Sequence, residues 1–404
     1  MPADQPQTEL VTQILAALHQ VLPEKSSLPL HEPSFGGNEW TYVKECLDTG
    51  WVSSVGKFVD RFEQQLADYT GVKRAVAVVN GTAALHVCLR LVGVEQGDEV
   101  LMPTLTFIAT ANAVSYCGAI PHFVDSEEKT LGLDAAKLAD YLAGIAEIRP
   151  QGCFNKATGR RIKAVVPMHA FGHPVDLDPL LEVCNRYRLE LIEDAAESLG
   201  SFYKGRHTGN WGKVSALSFN GNKVITTGGG GAILTNDEEL GKFAKHLTTT
   251  AKVPHKWLFI HDQIGYNYRL PNINAALGCA QMEELPGFLA AKRKLAQEYR
   301  HAFKGIEGAR FFDEPDFARS NYWLNVLLLD NRFAHQRDAL LDATNSRGIM
   351  TRPAWTLMHK LPIFAGCPSM DVSLAENLES RLVNIPSSAV LGTTENICAT
   401  EAKL

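Results

Sequence analysis

The sequence predicts an α/β fold: a large domain on a mainly parallel, mixed sheet, followed by a smaller C-terminal α+β domain. Two observations carry this. Between residues 75 and 235, apolar runs of about four to six residues alternate with helical stretches, the order that builds a parallel sheet covered on both faces. Beyond Pro286 the alternation stops, and a long polar helix, one apolar strand and one amphipathic helix follow. At 404 residues the chain exceeds the roughly 250–300 residues at which single cores stop growing. We therefore divide it into a helical extension (1–30), a large domain (31–285) and a small domain (286–404).

Leu10, Ile14, Leu15 and Leu18 recur at helical spacing and Pro23 ends the run, which gives an amphipathic helix over 8–22. Residues 75–79 (AVAVV) read as a strand, Asn80-Gly81-Thr82 as a turn and 83–92 as a helix. The same order recurs at 100–103 with 107–114, at 120–124 before Asp125, at 164–167 with 178–187, and at 189–192 before Glu193-Asp194. Further strands are expected at 214–219, 232–235 and 323–329, and helices at 289–303 and 332–347. In such sheets ligands bind beyond the carboxyl ends of the strands. Asn80-Gly81-Thr82, His169 and Asp194 all fall at that edge. Residues 393–404 read as a polar, frayed tail.

Composition excludes several classes of function. The chain is 45% hydrophobic and 21% charged with a net charge of −6, so no basic surface for nucleic acid is implied. Asp4, Gln5 and Glu9 stand where a secretory signal would be basic and then apolar, and no apolar stretch approaches the ~18 residues of a membrane span. A cytoplasmic location is expected. The eight cysteines, Cys46 to Cys398, are scattered without a CxxC pair and read as reduced core thiols. His169 and His173 are four apart, but on a loop containing glycine and proline with no carboxylate to complete a ligand set, so no metal is expected. One of the two is expected near the substrate.

The chemistry concentrates around SFNGNK, residues 218–223, followed by the glycines 228–231. Lys223 follows a strand and precedes Val224-Ile225, which aims its amine inward. A partly desolvated lysine becomes nucleophilic near neutrality, as a pyridoxal phosphate enzyme requires for its Schiff base. Local sequence equally accommodates a lysine snorkelling at a loop edge. Asp194 ends the run LELIED on a buried strand, where a carboxylate needs a partner; a protonated pyridine nitrogen serves, and so does a helix cap. Asn80-Gly81-Thr82 opens a helix whose first amides can hold a phosphate, and Ser218 can add a hydroxyl. Phe107 can present a ring face at the same edge. The glycine run precedes a strand rather than joining a strand to a helix, so it is a close-approach segment and not a dinucleotide fingerprint.

Together the segments GWVSSVGKFVDRFE, NGTAAL, GDEVLMPTLTFIATANAV, VPMHAFGHPVDLD, IEDAAESLG, SFNGNKVITTGGGGAILT, GYNYRLPNINAALG and TRPAWTLMHKLP closely resemble the DegT/DnrJ/EryC1/StrS family of nucleotide-sugar aminotransferases. The resemblance implies an aspartate aminotransferase-like fold (pyridoxal phosphate fold type I) with pyridoxal 5′-phosphate as cofactor. It implies Lys223 as the Schiff-base lysine, Asp194 on the pyridine nitrogen, Gly81, Thr82, Ala83 and Ser218 on the phosphate, and Phe107 against the ring. Asn267 would reach the phosphate of a neighbouring subunit, which implies a homodimer with shared sites. Trp51 and His169 are further candidates for substrate contact. Where many members read DAAQ, this chain reads Asp194-Ala195-Ala196-Glu197. Glutamine donates to the cofactor's phenolic oxygen and glutamate does so only when protonated.

FGHPVDLD and TRPAWTLMHKLP look most like the enzymes that aminate C4 of a nucleotide-linked 4-keto-6-deoxy-N-acetylhexosamine on the way to bacillosamine or legionaminic acid. The implied reaction is ping-pong transamination with glutamate as donor, Lys223 carrying protons between substrate and cofactor. Amination of a 3-keto sugar, a dehydratase of the same fold and a non-catalytic sensor are the alternatives. Lys223 and the scattered cysteines count against the dehydratase, which in relatives carries histidine at that position or an iron–sulfur cluster.

Overall fold

The computed structural model describes residues 8–393. The tail expected over 393–404 lies, apart from Thr393, outside the described residues, as does Cys398. The main sheet runs in the order Arg74–Val78, Gly231–Thr235, Val214–Ser218, Glu190–Asp194, Arg161–Val165, Glu99–Pro103, Ile120–Val124. The last five are mutually parallel, and Gly231–Thr235 is antiparallel to both neighbours. A hairpin, Ala146–Arg149 with Gly152–Asn155, pairs with the start of Arg161–Val165.

Alternation along these strands explains why both faces are buried. Ala75, Ala77, Leu217, Ala232 and Leu234 face one core with Phe62 and Leu66 from the helix Lys57–Thr70. Val76, Val78, Ala216 and Ile233 face the other with Ala84, Leu85 and Val87 from the helix Gly81–Leu91. With period two, each strand supplies both layers.

A second sheet, wholly antiparallel, orders Ala309–Phe311, Asn325–Leu329, Leu382–Ile385, Arg352–Pro353. The helix Glu9–Val21 packs Leu10, Ile14 and Leu18 with Leu327 and Val383 of this sheet, so the N-terminal extension sits on the C-terminal layer.

Two expectations need correction. The helix expected over 289–303 spans Asn272–Ala302, with Pro286 inside it, so the 285/286 division falls within one continuous element. Burial of Ala275, Ala276, Cys279 and Leu285 outweighs the break that Pro286-Gly287 suggests. The helix expected over 332–347 is a 3₁₀ turn, Asn331–Gln336, leading into Arg337–Asn345.

Candidate active site

Five elements end at one edge of the main sheet and surround a cavity of about 260 Å³. Its wall includes Gly81, Thr82, Phe107, Asp194, Glu197, Ser218 and Lys223, brought together from sites up to 142 residues apart (Gly81 to Lys223). The carboxyl ends of Arg74–Val78, Glu190–Asp194 and Val214–Ser218 supply the turn, the aspartate and the serine.

Asn80 caps the helix Gly81–Leu91 by accepting from the Ala83 amide at 2.8 Å. The amides of Gly81 and Thr82 are left at the open helix end, where an anion is favoured. Ala83, expected on the phosphate, therefore has its amide committed to Asn80. Gly81 has no room for a side chain: a Cβ there would lie 2.9 Å from Ser218 Cβ. Gly231 is tighter still, since its Cβ would stand 2.6 Å from the carbonyl carbon and oxygen of Asn80 and 2.8 Å from the Gly81 nitrogen. The last glycine of the run thus lets the antiparallel strand pass directly behind the anion cradle.

Asp194 is buried, accepting from the Thr110 hydroxyl at 2.6 Å and from the Ala196 amide at 3.2 Å. Burial pushes its carboxyl above the usual range, against the pull of the Thr110 bond. Lys223 Nζ lies 3.2 Å from Glu197 Oε1 and 3.8 Å from the centre of the Trp323 ring. Glu197 is 3% exposed, and its other oxygen accepts from the Phe171 amide at 2.9 Å. Burial raises the Glu197 pKa to about 7, with the Lys223 charge opposing. Phe171 adopts a left-handed backbone (φ 58°), a conformation uncommon outside glycine, which brings its amide to Glu197. The indole of Trp323 donates to the Asn222 carbonyl at 2.7 Å, pinning the loop beside Lys223. Phe107 stands half-exposed at the mouth, edge-on to Trp355, whose face stacks on Phe171 at 4.8 Å.

An anion cradle at one end, a buried carboxylate at the other and a lysine amine between them fit pyridoxal phosphate: one anionic group, one protonatable ring nitrogen, one aldehyde.

Three expected residues lie elsewhere. His169 is fully buried behind the cavity, with Glu193 Oε2 3.0 Å from its Nε2 and the Val175 amide donating to its Nδ1 at 3.1 Å. Its neighbour Met168 lines the cavity instead. Glu193 also accepts from the amides of Gly209, Trp211 and Gly212, so the pair braces the strand that carries Asp194. Trp51 lines a separate cavity of about 480 Å³ beside Cys46 and Asn272. Asn267 is exposed and bonded to Arg269, outside its own subunit's cavity. Sequence reasoning missed Thr110, Phe171, Trp323 and Trp355; only the aromatics in TRPAW and near 323 hinted at them, with nothing local to set them apart from core.

Comparison with known proteins agrees with this geometry. Residues 33–400 match the DegT/DnrJ/EryC1/StrS aminotransferase family. A GDP-perosamine synthase of Caulobacter vibrioides is 41% identical over 368 residues, covering 90% of this chain and 93% of its own. Another, of Escherichia coli O157:H7, is 36% identical and covers 93% of this chain and 97% of its own. The solved aminotransferase TlmJ from Streptoalloteichus hindustanus has a TM-score of 0.80 at 28% identity, covering 89% of this chain and 93% of its own. The two relatives are named for GDP-perosamine, where the segments had suggested bacillosamine or legionaminic acid. The aspartate aminotransferase-like α/β fold is present as expected. The chain belongs to the DegT/DnrJ/EryC1/StrS aminotransferase family and is a pyridoxal phosphate-dependent aminotransferase of nucleotide sugars.

Proposed function

We propose that this enzyme transfers an amino group from L-glutamate to C4 of a GDP-linked 4-keto-6-deoxyhexose. The observation that carries the amino-transfer site is the buried Lys223, Glu197 and Asp194 set around one cavity. The sugar and nucleotide rest on the two GDP-perosamine synthases, 41% and 36% identical over nearly the whole chain. Their name favours a plain hexose over the N-acetylhexosamine suggested by the segments.

In this reading Gly81, Thr82 and Ser218 hold the cofactor phosphate, with Ala83 behind them in the same helical turn, and Asp194 holds the ring nitrogen. Phe107 covers one ring face. Bound there, pyridoxal phosphate would supply an electron sink that makes a proton on the neighbouring substrate carbon removable. Lys223 would take that proton and return it two atoms further on, across the shared nitrogen, a task its flexible side chain can perform from a fixed Cα. Trp323 beneath the amine limits its sweep and excludes water.

The sugar has a space of its own. A cavity of about 600 Å³ shares Asn222, Trp323 and Trp355 with the cofactor cavity and is otherwise walled by His31, Arg352 and Asn384 among others. Asn267 joins a dimeric site from the partner in this reading. It follows a segment with Trp257, Phe259 and Ile264 at 68%, 80% and 87% exposure, an apolar face that a second copy would cover. No helix among the described residues is long and apolar enough to cross a membrane, and the seven described cysteines are free.

Incubation with glutamate and a panel of GDP- and UDP-linked keto sugars, with the product identified by NMR, tests the reading. A 4-amino sugar on GDP is expected; amination at C3, or preference for UDP, contradicts it.

A further inference from the structure

Glu197 and Lys223 form a buried ion pair whose cation is consumed when the enzyme is loaded. Among the described residues, Lys223 is the one cation within bonding distance of Glu197. Among the described residues, the titratable groups around this pair are Asp194, with His169 beyond it, and His31, close enough to feel the Lys223 charge. Trp323 and Phe171 contribute a ring and an amide, which do not titrate.

Attachment of a carbonyl cofactor to Lys223 is a condensation. The ammonium loses a proton and its nitrogen attacks the aldehyde carbon; a C=N bond forms and the aldehyde oxygen leaves as water. For a neutral imine the balance is one ammonium and one aldehyde giving one imine, one water and one proton. Glu197 is then left buried, with the Phe171 amide as its remaining hydrogen-bond donor and Asp194 nearby, a setting that disfavours charge. Asp194 differs: the Thr110 hydroxyl and Ala196 amide both stay with it.

We propose that the proton leaving Lys223 passes to Glu197 Oε1, so that loading converts the ion pair into a neutral carboxylic acid beside a neutral imine, with no proton lost to solvent. Glu197 then presents an O–H donor to the cavity where an acceptor stood before. The freed proton thus stays on Glu197 beside the bond just formed, and a donor amine that displaces Lys223 releases it as the neutral amine that proton transfer needs. The inference rests on Lys223 as the attachment point.

The test counts protons as pyridoxal phosphate is added to the cofactor-free protein in weakly buffered solution at about pH 8, above the Glu197 pKa of about 7. Glu197→Gln is expected to release about one proton more per site than the wild type. Independently of that variant's folding, the infrared difference spectrum of the wild type should gain the carbonyl stretch of a protonated carboxyl on loading. Lys223→Ala should not show it. Equal proton counts, or no such band in the wild type, overturn the inference. Borohydride reduction that traps the cofactor on another lysine overturns the functional reading as well; trapping on Lys223 with equal counts overturns this inference alone.

Discussion

Glu197 Oε1 lies 3.2 Å from Lys223 Nζ, and the two side chains are only 2% and 13% exposed. Burial outweighs the lysine charge and leaves the glutamate with a pKa of about 7. This folded value lies above the ordinary 4.5, so between the two the folded protein holds more protons than the unfolded chain. Stability from this group is complete below about pH 4.5 and is lost as pH rises to about 7, by up to ~1.4 kcal/mol per pH unit. In cofactor-free protein, urea denaturation across this window should show a slope in the wild type that Glu197→Gln lacks. Parallel curves would contradict the assignment.

Lys292 titrates in the opposite sense. It is fully buried on the long helix, donating to the carbonyls of Trp323 at 3.2 Å and Ser387 at 2.5 Å, and burial lowers its pKa to about 7. Between about 7 and 10.5 the unfolded chain binds a proton that the folded protein has lost, so stability rises with pH in that window, again by up to ~1.4 kcal/mol per unit. Lys292→Met should flatten the rise. Denaturation midpoints of both proteins at several alkaline pH values check this.

Gly231→Ala should cost about 1–3 kcal/mol and weaken cofactor binding, because the new methyl meets backbone of Asn80 and Gly81. Gly229→Ala, with nothing within 4 Å of the added Cβ, should do neither. Thermal melts with and without pyridoxal phosphate separate the two. Equal behaviour would remove the close-approach role from the glycine run.

Asp194→Asn keeps the shape and the Thr110 contact but removes the charge proposed to hold the pyridine proton. We expect kcat to fall on the order of 10²-fold or more with the melting curve of cofactor-free protein little changed. A rate within a few-fold of wild type would take Asp194 out of the reaction.

Much of this was readable in the sequence, for a physical reason. Ser218 and Asp194 end strands, Asn80-Gly81-Thr82 opens a helix and Lys223 follows a strand, so position along the chain alone put them at one sheet edge. His169 failed by one residue. Next to strand Arg161–Val165 the chain still alternates, and Met168 faces the cavity while His169 turns to Glu193. Phe171, Trp323 and Trp355 were hidden because they reach the site through tertiary packing, and their letters look like core. The long helix was read short because Pro286 signals a break that buried alanines override. Asn267 lies outside its own cavity, so its role belongs to an assembly that one chain does not contain.

The central claim is that Lys223 carries the cofactor and drives amino transfer. Borohydride reduction of the loaded enzyme, followed by proteolysis and mass spectrometry, tests it most directly. The reduced cofactor is expected on Lys223 of the wild type, and neither label nor amino transfer in Lys223→Ala. A label on any other lysine, or amino transfer surviving in that variant, would contradict it.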